Sequence, residues 1–346
     1  MKKVLVVATS RATRGGITSI IRDYESTFIW SKWHCFWIET HIDRSLFKKA
    51  CYFIKSLFLF AVKVRRYDLI HVHLSEPVSA IRKTIFVLVA KILQKKVILH
   101  LHAFSPITTF KDNRFLYSWL FSKADSIVLV SEQWRVWLND YIPGFDHKVT
   151  VIYNPSKLVV NNNSIPKKNI ILYAGTLNKR KGYSDLLKAF SLISKEHPTW
   201  KLSFAGNGEI DKATSLAKTL DVLDRVIFHG WIDGQRKSDA FLEATIFCLP
   251  SYAEGFPLAV LDAMAYGLPI ITTPVGGILD ILEHEKNSMI FTPGDVETLA
   301  VLLDQLITNE ELRSSLSNES RKLNETIFSS HTIASQVDSL YCLLLN

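Results

Sequence analysis

Short apolar runs recur along the chain, each followed by a stretch whose apolar residues fall at helical spacing. Residues 4–8, 68–73, 96–106, 126–131 and 149–153 form one set, and runs near 170, 201–206, 226 and the segment ending at Pro250 form another. Runs of this length without polar alternation predict strands buried on both faces, which is the mark of a parallel sheet. Between the sets lies SKLVVNNNSIPKKN (156–169), polar and Asn-rich, which reads as a linker. Two successive series of strand–turn–helix units predict an α/β protein with two Rossmann-like domains, 1–160 and 161–330, facing one another across a cleft, followed by a terminal helix at 331–346.

Length and composition agree with this plan. The 346 residues, 48% of them hydrophobic, are enough for two cores. The start MKKVLVVAT reads as a first strand rather than a signal peptide, and the longest apolar stretches, at 57–62 and 85–90, are too short to span a bilayer. Cys35, Cys51, Cys248 and Cys342 are scattered without CxxC spacing, which points away from metal binding and toward a reducing cytoplasm. The net charge of +8 is uneven: residues 1–160 carry 24 Lys and Arg against 11 Asp and Glu, the remainder 17 against 22. A basic first half suits a polyanion, and with no nucleic-acid module in the sequence the expected partner is an anionic membrane surface or a lipid phosphate rather than nucleic acid. The helical segment 45–67 places Lys48, Lys55 and Arg66 in one stripe, to be read either as a membrane contact or as the solvated side of a crossover helix.

The chemistry concentrates in residues 251–277, SYAEGFPLAVLDAMAYGLPIITTPVGG. After the strand ending at Pro250, Glu254-Gly255-Phe256-Pro257 turns the chain into a helix with Pro257 in its first turn. A helix N-terminus at a strand's carboxyl end favours an anion, and the N–H groups of Gly255, Phe256 and Leu258 suit a diphosphate. Glu254 would repel that diphosphate, so its task is to accept hydrogen bonds from hydroxyls of an attached sugar. A second candidate is the loop Lys179-Arg180-Lys181 after the first strand of the second set, whose cations suit phosphate. Gly15 and Gly16 form a glycine turn before a helix starting near Ile17, either a ligand-lining loop or an ordinary connection. Two His-x-His pairs (His71 and His73, His100 and His102) end strands; zinc is conceivable, yet the sequence shows no third ligand, and no metal is expected. Trp30, Trp33 and Trp37 read as core packing.

The segment Glu254 to Asp262 resembles the acidic-x7-acidic motif of the retaining GT-B glycosyltransferases of family 4, whose usual wording is near EGFPLVLLEAMA. The resemblance is strong from Ile170 to the C-terminus and looser over the first half. It implies a GT-B fold and transfer of a sugar, with retention of configuration, from a UDP- or GDP-linked donor to an acceptor hydroxyl on a glycan or lipid-linked glycan, as in surface-polysaccharide assembly in the cytoplasm or at the inner membrane face. It further implies that Lys181 and Arg180 contact the diphosphate, Glu254 the sugar hydroxyls, Asp262 the ribose diol, Ile232 the base, His102 the sugar, and Gly15 and Gly16 the donor from below, while the last helix returns to the first domain. The lack of an Asp-x-Asp motif goes with a metal-independent reaction and no cofactor. Three positions depart from the family wording: Thr176 for Arg, Asp262 for Glu, Ala103 for Gly. A GT-B sugar-nucleotide epimerase and an inactive sugar-nucleotide-binding subunit remain as alternatives; a dinucleotide dehydrogenase is disfavoured because no G-x-G-x-x-G follows the first strand.

Overall fold

A computed structural model describes residues 1–159 and 166–346 of the chain. The central part of the expected linker and the expected boundary at 160/161 fall on residues outside those described. The chain divides into two compact units, residues 1–155 with 328–346, and residues 156–327.

The first unit is a six-stranded parallel sheet of β1 (Val4–Ala8), β2 (Phe36–Glu39), β3 (Leu69–Leu74), β4 (Lys96–Leu101), β5 (Ser126–Leu129) and β6 (Val149–Val151), in the order β2-β1-β3-β4-β5-β6. Every residue of β1 and β3 is buried, as expected of central strands covered on both faces. The connections carry α1 (Gly16–Glu25), α2 (Phe28–Lys32), α3 (Leu46–Lys63), α4 (Pro77–Ile92), α5 (Arg114–Lys123) and α6 (Glu132–Tyr141). Trp33 and Trp37 are buried, and Trp37 donates its indole N–H to the Thr9 carbonyl at 2.9 Å. The apolar residues of α3 do not all cover the sheet: Ser56 and Phe60 face inward, whereas Phe47, Ile54, Phe58 and Val62 face solvent.

The second unit repeats the plan with β7 (Ile170–Ala174), β8 (Lys201–Ala205), β9 (Val226–Gly230), β10 (Ile246–Leu249), β11 (Ile270–Thr272) and β12 (Met289–Ile290), all parallel in the order β12-β11-β10-β7-β8-β9. Its helices are α7 (Tyr183–Ile193), α8 (Ile210–Thr219), α9 (Gly234–Glu243), α10 (Leu258–Ala265), α11 (Val296–Thr308) and α12 (Glu310–Leu323). The side chains of β7, β8 and β10 supply its core, where trimming one Leu or Ile to Ala should cost about 2–5 kcal/mol. One detail differs from the sequence reading. The helix after Glu254 starts at Leu258, with Pro257 outside it at ψ 116° as the N-cap, because a proline's fixed φ fits either place. Before the expected terminal helix, here α13 (Ser330–Leu345), two helices follow β12, α11 and α12, separated where Asn309 caps α12 through its side chain.

The last helix, α13, belongs to the first unit. There Asp338 receives hydrogen bonds from Lys32 Nζ and from the Trp33 indole, each at 2.7 Å, and Tyr341 lies edge-on to Trp33.

Candidate active site

The second unit gathers charge at the carboxyl ends of β7 and β10. Lys181 Nζ lies 2.5 Å from Glu254 Oε1, and Arg180 Nη1 lies 3.4 Å from Glu254 Oε2. Ser251 Oγ donates to Glu254 Oε1 at 2.7 Å. The carboxylate is only 6% exposed. Removing an ion from water costs several kcal/mol, so a carboxylate this deep requires its two cations.

Local chain chemistry holds each partner in place. Asn178 caps the short turn 179–181 by accepting from Lys181 N at 3.0 Å, which fixes the direction of the lysine. Gly182 follows at φ 67°, and a Cβ there would stand 1.9 Å from the Pro250 carbonyl, so the β7 loop and the end of β10 approach as closely as backbones can. Tyr252 N donates to Arg180 O at 2.7 Å, and Arg180 Nη1 to Ala253 O at 2.5 Å. The Tyr252 hydroxyl donates to Asp185 on α7 at 2.7 Å, and that bond, with burial, pushes the phenol up to about 12. Gly276, at φ 64°, passes so near the other side that a Cβ would lie 2.2 Å from Glu254 O, while Gly277 N donates to Gly255 O at 2.8 Å. The loop bearing Glu254 is therefore clamped between two backbones.

Gly255, Phe256 and Leu258 lie on this loop and at the start of α10, with Phe256 buried. Asp262, on α10, neither caps a backbone N–H nor stands alone: its Oδ2 is 2.6 Å from Lys237 Nζ of α9. Ile232 is nearly buried just after β9, and Trp231 is more than a third exposed. Reading the sequence missed Ser251, Asn178 and Lys237. Ser251 and Asn178 had a usable signal, as short polar residues three positions from the groups they serve; Lys237 had none, because its pairing with Asp262 depends on how α9 packs.

In the first unit, Gly15 precedes α1 with open space around it. His102 joins a feature that the sequence did not reveal. Strands β3 and β4 pair in register, His73 opposite His100, so the two His-x-His pairs form one stack. His71 Nε2 is 3.2 Å from His100 Nδ1, His73 Nδ1 is 2.9 Å from His102 Nε2, and His71 Nδ1 is 2.6 Å from the Tyr341 hydroxyl. Burial pushes His71 and His102 down to about 3, and His73 and His100 well below the usual imidazole range, with repulsion from neighbouring imidazoles adding at His73, His100 and His102. The third metal ligand missing from the sequence is thus present in space: nitrogens of His71, His73 and His100 come within 4.8 Å of one another. The rings, however, are stacked, 22° apart for His71 and His73 and 9° for His71 and His100, so their in-plane lone pairs run side by side and would have to turn to converge on an ion. Beneath them the buried Lys83 donates to Ser79 Oγ at 2.9 Å and to the His73 carbonyl, and burial pushes its ammonium down to about 7.

Known proteins align with this layout. An uncharacterized glycosyltransferase of Haemophilus influenzae is 35% identical over 185 residues, 52% of this chain and 51% of its own. A lipopolysaccharide 1,6-galactosyltransferase of Salmonella typhimurium is 28% identical over 169 residues, 47% of each. The chain thus spans about half the length of the curated relatives it matches. Over nearly the whole molecule the fold is that of Anabaena HepE, solved with UDP and glucose, at TM-score 0.82 and 17% identity, covering 99% of this chain and 100% of that one. The fold is GT-B. Residues 157–323, which run from before the β7 loop through the Glu254 cluster to α12, match the family described as glycosyl transferases group 1.

Proposed function

We propose that the protein transfers a glycosyl group from a nucleoside-diphosphate sugar to an acceptor hydroxyl with retention of anomeric configuration. The observation that carries this reading is the buried Glu254 cluster, with Lys181 and Arg180 both turned on one carboxylate at the ends of parallel strands. Without ligand the two cations neutralise Glu254. When a donor arrives, its diphosphate offers them a stronger partner beside the start of α10, and Glu254, relieved of their charge, accepts hydrogen bonds from the sugar hydroxyls. As the bond from the anomeric carbon to the diphosphate breaks, Lys181 and Arg180 stabilise the charge that collects on the leaving group. We assign Asp262 to the ribose diol, with Lys237 setting its direction, and Ile232 to the base. On the first unit Gly15, Gly16 and His102 are the candidates for contact with the sugar. Cations in place of a divalent ion make the reaction metal-independent, and no cofactor is needed.

The polysaccharide and lipopolysaccharide transferases among the relatives support a glycan or lipid-linked glycan acceptor, handled at the inner face of the cytoplasmic membrane. UDP, present in the HepE complex, is the first nucleotide to try. Thermal shift with UDP, GDP and ADP identifies the base, since a ligand at 100 times its Kd adds about 2.7 kcal/mol to apparent stability. Product analysis with the matching sugar nucleotide then decides the reaction. Sugar on an acceptor in the presence of chelator is the expected result; an isomerised donor would mean an epimerase, and binding without turnover a non-catalytic subunit.

A further inference from the structure

Helices α3 and α4 expose apolar side chains in a pattern that a solvated crossover helix has no use for. On α3, Phe47, Ile54, Phe58 and Val62 recur at spacings of seven, four and four and are 55–79% exposed; on α4, Val78, Ile81, Ile85, Leu88 and Ile92 recur at three and four and are 40–76% exposed. Each set forms one stripe along its helix. The helices are neighbours, joined by Phe86 of α4, which meets Phe53 and Phe60 of α3 edge-on with ring centres 6.0 and 5.0 Å apart. Two parallel apolar ridges of this size are well beyond the scattered apolar residues of an ordinary surface.

Charge identifies what covers them. No Asp or Glu occurs from residue 44 to 67 or from 77 to 111, so neither helix carries a carboxylate. Lys48 and Lys55 lie about 60–100° around α3 from the centre of its apolar stripe, and Arg66 stands in the short 3-10 turn (Val64–Arg66) that continues the helix. Beside the stripe is a hollow of about 490 Å³ lined by Ile42, Arg44, Lys48, Cys51, Tyr52 and Lys55, three of them cations, while the Tyr52 hydroxyl donates to Glu39 Oε2 at 2.8 Å. A second copy docked here about a two-fold axis would set these cations against their own images, and like charges in a closing interface repel. We infer that α3 and α4 dock on an anionic lipid bilayer: the two ridges enter the boundary between headgroups and acyl chains, and the basic hollow seats a lipid phosphate. This rests on the proposed acceptor only for its purpose, holding a transferase where a lipid-linked glycan would be; docking itself needs none of the donor chemistry.

The test is flotation of the full chain with vesicles of phosphatidylcholine alone or mixed equally with phosphatidylglycerol. Wild type should float with the mixed vesicles and not with the neutral ones, and less so in 0.5 M salt. Each surface cation contributes roughly 5-fold to the partition coefficient, so Lys48→Gln/Lys55→Gln/Arg66→Gln should lower it on the order of 100-fold. Phe47→Ser/Phe58→Ser and Ile81→Ser/Ile92→Ser should each reduce it at least 10-fold while leaving nucleotide binding by the second unit unchanged. Flotation equal to that of wild type in the cation triple variant, or no preference of wild type for the anionic vesicles, overturns the inference. So does a concentration-dependent dimer, seen by sedimentation, that Phe58→Ser dissolves. Nucleotide titration of the same variants keeps the two questions apart, because loss of docking with intact UDP binding, or the reverse, assigns the failure to one of them.

Discussion

The two units place different chemistry on the two central strands of their six-stranded parallel sheets. In the first, β3 and β4 carry four buried imidazoles that hydrogen-bond and stack on one another and are held neutral by burial. In the second, β7 and β10 lead into a buried carboxylate held by a lysine and an arginine. The neutral stack buries no net charge on its rings, although His73 Nε2 and His100 Nε2 have no hydrogen-bond partner, whereas the Glu254 cluster must offset the desolvation of three ions. Packing alone would favour the first solution. Retaining the second goes with a site whose charges are to be used.

Four substitutions and one titration test that contrast. The largest effect is expected at Glu254 and Lys181. Under the proposed function Glu254→Gln leaves two cations without their counter-charge and trades a charged acceptor for a neutral amide, and Lys181→Ala removes the cation proposed to stabilise the leaving diphosphate; each should lower kcat/KM by roughly 100- to 1,000-fold, equivalent to about 3–4 kcal/mol. Circular dichroism should show both variants folded. Activity within a factor of three of wild type in either would mean that the cluster is structural.

The titration comes next. Because His71, His73, His100 and His102 titrate lower in the fold than the usual 6.5, the unfolded chain takes up their protons first as pH falls. The contribution of these histidines to stability is therefore full above about pH 6.5 and is lost as pH drops from there toward 3. Lys83 adds a shallower slope higher up: with its folded value near 7 against 10.5 unfolded, stability declines as pH falls from about 10.5 to 7 and is flat below. Amide exchange at pH 5 should show β3 and β4 opening ahead of β7 and β8. Lys83→Met should flatten the alkaline slope alone, and an unchanged slope in that variant would refute the assignment.

The smallest effect is expected at Asp262, whose pair with Lys237 is about a third exposed and so contributes under about 1 kcal/mol to the fold. If Asp262 receives the ribose, Asp262→Asn should weaken nucleotide binding by about 1–3 kcal/mol with a Tm close to wild type. Calorimetric titration separates the two quantities, and unchanged affinity would leave the residue only its link to α9.

Much of this layout was legible because it depends on nearest neighbours in sequence. The apolar runs of β1, β3 and β10 could only be buried strands, and the spacing from Glu254 through Pro257 marked a turn into a helix. What sequence did not disclose depends on which strands lie side by side and how helices rotate. The histidine stack arises only when β3 pairs with β4 in register, the Asp262–Lys237 pair only when α9 packs against α10, and the outward ridge of α3 only when Ser56 and Phe60 rather than Phe47 and Phe58 turn to the sheet. An apolar residue at helical spacing indicates a stripe but not the surface it meets.

The approach of Gly276 to Glu254 also bears on how the protein can change over generations. Every amino acid other than glycine carries a Cβ, and a Cβ at this point would stand 2.2 Å from one carbonyl and 2.5 Å from the next. Any single-base change in the codon that alters the residue therefore pushes on the backbone that holds the carboxylate, 22 positions earlier in the chain. Gly276 thus offers no neighbouring sequence to move to that leaves this backbone where it is.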